Sequence, residues 1–176
     1  MIHYQFELIH PFHDGNGRTG RILNVLYLVL KNKISLPILY LSKYINSTKD
    51  DYYKHLHKIR LDDKYIKDYL LYMIKGVEMT SSFTINFIKS FRELMDDASK
   101  LIKEKCPKIY SHELVEYLFY DFYTKNEYLR NALGISRNTA SKYLNELEEA
   151  GVLISEMVGK EKIFKNAYLY SLIEKW

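Results

Sequence analysis

The stretch LIHPFHDGNGRTGRILNVLYLVLK, residues 8–31, passes from two histidines and an acid through three glycines and two arginines into a long apolar run. From Arg18 to about Lys31 the composition favours helix. Ile22, Leu23, Val25, Leu26, Leu28, Val29 and Leu30 leave that helix almost no polar face, so it is expected to be central and buried. Its amino terminus would then open directly from the glycines. Free N–H groups and the helix dipole favour an anion at such a place. Gly15 and Gly17 let a ligand approach the backbone with no Cβ in the way. Arg18 and Arg21, three apart, share one side of the first turn, where planar guanidinium groups fork phosphate oxygens.

Other readings of the same residues are weaker. GNGRTG, residues 15–20, satisfies the glycine spacing of a dinucleotide site, but Pro11 and polar residues precede it instead of a buried strand, and ILYLS some twenty residues later offers no acid for a ribose. A Walker loop would need Gly-Lys-Ser/Thr. A zinc site on His10, His13 and Asp14 lacks a full ligand set, and Pro11 keeps the histidines off one helical face. The bland alternative is a glycine turn with solvated arginines. Against it stands the order of the chemistry, a glycine turn feeding directly into a helix amino terminus; beside a polyphosphate the Asp14 carboxylate would need a bridging cation, which points to Mg2+. His10, presented by the stiff turn at Pro11, is placed as a base for an incoming hydroxyl.

The remaining chain organises around this segment. ILYLSKYIN, DDYYKHLHKI, KYIKDYLLYMIKGVEM and SFTINFIKSFRELMDDASKLIKEKC carry helical spacing, with Ser47 and Thr48 as a helix start and Gly76 a weak point. Cys106-Pro107 marks an expected boundary, since proline disfavours helix at the residue before it. Beyond it, residues 110–122, 126–134 and 136–151 read as three short helices. Gly134-Ile135-Ser136 forms a tight turn with Ser136 as N-cap, and residues 152–158 and 162–165 flank Gly159-Lys160 as a hairpin. That order of elements is a winged helix-turn-helix. The expected fold is therefore mainly α: a helical bundle over 1–106 and a small winged helix over 107–176.

Composition excludes several classes. Lys and Arg number 26 against 22 acids, a surplus of +4, far from that of a nucleic-acid tail. Cys106 is the only cysteine, so neither an intrachain disulfide nor a thiolate metal cluster can form. The apolar run at residues 22–30 is too short to span a bilayer, and His3, Gln5 and Glu7 interrupt any signal-like segment. A cytoplasmic protein with no membrane partner is expected.

At this point the motif itself carries a resemblance. HPFHDGNGRTGR, residues 10–21, matches residue for residue the motif of the Fic (Fido) family, known for transferring AMP from ATP to a hydroxyl side chain of a target protein. The resemblance implies His10 as general base and Asp14 as Mg2+ ligand. Asn16 with the Gly15 and Gly17 amides would be the phosphate cradle. Arg18 would stabilise the leaving pyrophosphate, and Arg21 would reach the γ-phosphate. Phe12 is expected as a core anchor and His13 as solvent-facing. DDYYKHL is similar to the family's tyrosine-pair segment, which makes Tyr52 a nucleoside contact and Tyr53 a weaker one. The tail resembles the winged-helix module of bacterial Fic proteins. With nine residues ahead of His10, the resemblance implies a Fic domain without its flap and inhibitory helix, impaired in docking a Tyr, Thr or Ser hydroxyl of a target. The alternative is a non-catalytic DNA-binding or partner-binding module with a relic phosphate site. Arg137, Asn138, Ser141 and Lys142, with Asn145, Lys160 and Lys162, are its candidate DNA contacts, and a homodimer is a further expected partner state.

Overall fold

The computed structural model describes residues 1–174, and the chain divides into two units, Met1–Phe87 and Ile88–Trp176. The first unit is all helical. Its elements are α1 (Ile2–Ile9), α2 (Asn16–Leu30), α3 (Leu41–Ser47), α4 (Lys49–Leu61), a 3-10 turn at Asp63–Tyr65 and the opening turns of α5 (Ile66–Lys105). Leu41, Ile45, Tyr52, Leu56, Ile59, Tyr69 and Tyr72 form its core with Val25 and Leu39. The expected start signal acts differently from the reading above. Thr48 donates its hydroxyl back to the Tyr44 carbonyl (2.8 Å) and meets the Tyr72 hydroxyl (2.7 Å), so it closes α3 and supplies no side-chain cap to α4. Nor does Gly76 interrupt α5. A Cβ there would lie 2.6 Å from the Tyr44 ring, so the glycine is the space into which that ring packs.

The buried central helix expected from the apolar run is only half realised. Asn16, Gly20 and Val25 are the buried residues of α2, whereas Ile22, Leu26 and Leu30, one stripe at four-residue spacing, are 58%, 48% and 74% exposed. Uniform apolar composition demands cover on every side, but the stripe is covered only in part: Ile22 and Leu26 line an open groove with Pro37, Leu39 and Tyr40.

The second unit is built on a closed apolar core: Ala98, Ile102 and Cys106 from the last turns of α5, with Leu114, Leu118, Leu129, Leu144, Leu147, Val152, Leu153 and Phe164. The expected junction at Cys106-Pro107 is where the helix ends, but the division between units falls earlier, because those last turns belong to this core. Helices α6 (His112–Tyr120), α7 (Asn126–Leu133) and α8 (Arg137–Glu149) follow. Ser111 and Ser136 cap α6 and α8 by accepting from the amides of Leu114 and Thr139, and Gly134 ends α7 in the left-handed conformation at φ 63°. Strands β2 (Leu153–Val158) and β3 (Glu161–Asn166) pair antiparallel across Gly159-Lys160. A short β1 (Tyr123–Thr124), not among the expected elements, adds to β3 in the order β1-β3-β2. Helix α9 (Ala167–Glu174) closes the unit. Buried Asn166 ties its start to α6, donating to the Leu118 carbonyl while accepting from the amides of Tyr168 and Leu169. Among the described residues, no helix is long and apolar enough to cross a membrane.

Candidate active site

The candidate site is the loop between α1 and α2. His10 ends α1 in the left-handed conformation, φ 49° and ψ 57°, with its amide bonded to the Phe6 carbonyl. A non-glycine residue held there is strained, so the turn is imposed by its surroundings. Pro11 then directs the chain across to Gly15, whose φ of 85° makes it the N-cap of α2. His10, His13 and Asp14 are all exposed along this turn.

Asn16 is buried and braces the loop. Its side-chain oxygen accepts from the Phe12 amide at 2.9 Å, and its side-chain nitrogen donates to the Phe12 carbonyl at 2.5 Å. This reciprocal pair fixes the loop and consumes the amide that was expected to face phosphate. Phe12, expected in the core, is half exposed with its ring against Phe6. The backbone cradle also differs by one residue. The Gly15 amide is taken by the Asp14 carboxylate at 2.6 Å, whereas the amides of Asn16, Gly17 and Arg18 open α2 with no side-chain cap, Thr19 making the first bond back to Gly15.

The arginines flank this opening. Arg18 lies 3.3 Å from Asp14, with the two side chains 72% and 93% exposed, so the pair exchanges readily with solvent or a competing anion. Arg21 is held: its Nε donates to the Ser42 hydroxyl at 2.9 Å, and its guanidinium packs over Gly17, where a Cβ would sit 3.1 Å away. The two differ in freedom: Arg21 is tethered to α3 through Ser42, and Arg18 is held only by an exposed ion pair. No cluster of three His, Cys, Asp or Glu that could hold a metal ion occurs among the described residues, at Asp14 or elsewhere. A lone exposed carboxylate fits Mg2+ when phosphates and water complete the octahedron, and does not fit a structural zinc.

Tyr52 meets α1 from within the core. It is buried in the core and bonded to His3 Nε2 at 2.8 Å, and burial pushes its phenol well above the usual range. The tyrosine pair is split, with Tyr53 half exposed against the Tyr52 edge. Sequence reasoning missed the partners that Tyr52 does have. His3 and Glu7, one turn apart on α1, press against Gly20, where a Cβ would come within 2.7 Å of His3 Nδ1 and 2.6 Å of Glu7 Oε1. Burial lowers the His3 pKa and raises that of Glu7. Gly20 therefore sets the approach of α1 to α2, and the four-residue spacing of His3 and Glu7 was the available signal. Of the candidate DNA contacts, Arg137, Ser141, Asn145 and Lys162 line one cleft of the second unit; Lys142 pairs with Glu146 at 3.8 Å.

The comparisons with known proteins fall on the same two regions. Residues 1–28 match the Fic/DOC family, and residues 94–169 match the C-terminal domain of SoFic-like protein adenylyltransferases. Protein adenylyltransferase fic-1 of Caenorhabditis elegans is 32% identical over 109 residues, which cover 60% of this chain and 20% of that protein. Its Caenorhabditis briggsae counterpart is 33% identical over 92 residues, 51% of this chain and 16% of that protein. A probable protein adenylyltransferase, aq_aa38, of Aquifex aeolicus (strain VF5) is 42% identical over 50 residues, 28% of this chain and 16% of that protein. The chain thus spans about a fifth or less of the length of these relatives.

Proposed function

Because residues 1–28 belong to the Fic/DOC family and residues 94–169 to the SoFic-like C-terminal domain, we propose that the α1–α2 loop takes part in transfer of AMP from ATP to a hydroxyl of a target protein. One observation carries the reading: α2 opens without a side-chain cap, between one tethered and one mobile arginine, beside the strained His10 turn. The amides of Asn16, Gly17 and Arg18 bind polyphosphate oxygens, and Arg21 clamps from the position that Ser42 gives it. Arg18 leaves Asp14 for the phosphates and stabilises the charge that gathers on departing pyrophosphate. Asp14, released, would hold Mg2+, and the ion would supply neutralisation of phosphate charge. His10 takes the proton of the target hydroxyl, of tyrosine, threonine or serine, as that oxygen bonds to the α-phosphorus and the bond to pyrophosphate breaks.

For the second unit we adopt the winged-helix reading, with α7, the Gly134 turn and α8 as the helix-turn-helix and β2–β3 as the wing. A partner-binding role suits it better than DNA contact, since Lys142 and Lys162 are engaged with Glu146 and Glu148. The catalytic reading is tested by titrating the chain with ATP and Mg2+ and weighing AMP adducts by mass spectrometry. His10→Ala is expected to retain ATP affinity and lose transfer, whereas Asp14→Ala and Arg18→Ala weaken both. Loss of ATP binding in His10→Ala equal to that in Asp14→Ala would make His10 a structural residue.

A further inference from the structure

The second unit contains a concave cleft of about 530 Å³ walled by α7, the first turns of α8 and strand β3. That size falls among small-molecule sites. Its charges sort into satisfied and unsatisfied groups. Lys125 Nζ lies 3.1 and 3.2 Å from the two Glu161 oxygens and 3.9 Å from Glu127, and Lys162 lies 2.9 Å from Glu148. The arginines are left over. Arg130 makes only long bonds, 3.3 and 3.4 Å, to the amide of neighbouring Asn131, and Arg137 has no side-chain partner among the described residues. The wall that carries them is fixed, since the Asn126 amide donates both to the Arg137 carbonyl at 3.0 Å and to Ser141 Oγ at 2.8 Å. Because Ser141 Oγ accepts that bond, its own proton is available to a ligand.

We propose that this cleft binds a phosphate monoester of a compact polar molecule, with Arg130 and Arg137 forking its oxygens and Ser141 donating a further bond. Two guanidinium groups and a hydroxyl supply more donors than the two oxygens of one carboxylate can accept. Duplex DNA suits the cleft less. Glu127 and Glu161 stand in its wall, and Lys142 beyond it is paired with Glu146, so no cationic strip continues along α8 to follow a phosphate backbone. The proposal is independent of the reading given to the α1–α2 loop.

The test is an amide-resolved NMR titration of the whole chain with glycerol 3-phosphate, with succinate and a short DNA duplex run in parallel. Saturable shifts are expected at Asn126, Arg137 and Ser141, weakened about tenfold by Arg137→Gln and by Arg130→Gln. Both replacements lie outside the core, so unperturbed resonances from Leu114 and Leu147, which do not line the cleft, verify the fold. Arg18→Gln, which alters only the loop, should leave these shifts unchanged. The proposal is overturned by shifts confined to residues 15–21, by no saturation at the cleft, or by succinate binding as tightly. Salt-sensitive shifts at the cleft from DNA, with glycerol 3-phosphate silent, would overturn it equally.

Discussion

The two units bury their apolar residues differently. In the second, the core is mostly aliphatic and closed: Leu114, Leu129, Leu144, Leu147 and Val152 are fully buried around Phe119 and Phe164, and polar groups such as Ser111, Ser136 and Asn166 are caps with defined partners. In the first, tyrosines supply much of the core and a histidine and a glutamate are packed beneath α2, while a stripe of Ile22, Leu26 and Leu30 faces outward. The first leaves polar atoms such as His3 Nδ1, Glu7 Oε1 and the Tyr69 hydroxyl without hydrogen-bond partners among the described residues, and each such group costs stability. The packing of the first unit thus goes into placing α2 and its glycine-rich loop, and that of the second into closing its core.

The strongest way to break this comparison is Leu147→Ala. A fully buried leucine of a closed core should cost about 3 to 5 kcal/mol, read as a lower urea midpoint and as faster amide exchange confined to the second unit. A cost below about 1 kcal/mol would mean that this core is not close-packed. Gly20→Ala should come next, at about 1 to 3 kcal/mol in the first unit, because its Cβ meets His3 and Glu7 at under 3 Å. Exchange should accelerate in α1 and α2 and not in α8. Weakened phosphate binding at the loop should accompany it.

A pH series sharpens the contrast further. Burial holds the folded His3 pKa below its ordinary 6.5, so as pH falls the unfolded chain takes up that proton first. Its contribution to stability is complete above about 6.5 and is lost as pH falls from there through the lowered folded value. Glu7 has the opposite sense. Raised above its ordinary 4.5, it contributes stability below that pH and loses it as pH rises through the raised folded value. His3→Gln should therefore abolish the acid-side loss in the first unit and leave the Glu7 trend, as read from exchange-resolved unfolding at several pH values; an unchanged acid-side loss would assign it elsewhere. The smallest effect is expected from Ile22→Thr, within about 0.5 kcal/mol in either direction, since the side chain is exposed. A larger loss would show that the α2 stripe is covered in solution.

The sequence by itself determined the elements whose signals are local. Gly134 and Ser136 punctuate α7 and α8, Gly159 turns the hairpin, and the HPFHDGNGRTGR segment places a glycine-opened helix start beside His10, Asp14 and two arginines. These follow from backbone freedom and capping, which neighbouring residues settle among themselves. Tertiary structure decided the rest. Whether Asn16 faces a ligand or braces Phe12, whether Tyr52 lines a site or bonds to His3, and whether Gly76 breaks α5 or receives Tyr44 depend on partners up to 49 residues away in sequence. An apolar run specifies that a helix wants cover on every side, but only the packing of α1, α3 and α4 decides which side of α2 receives it, because burial belongs to the assembled surface and not to the residue.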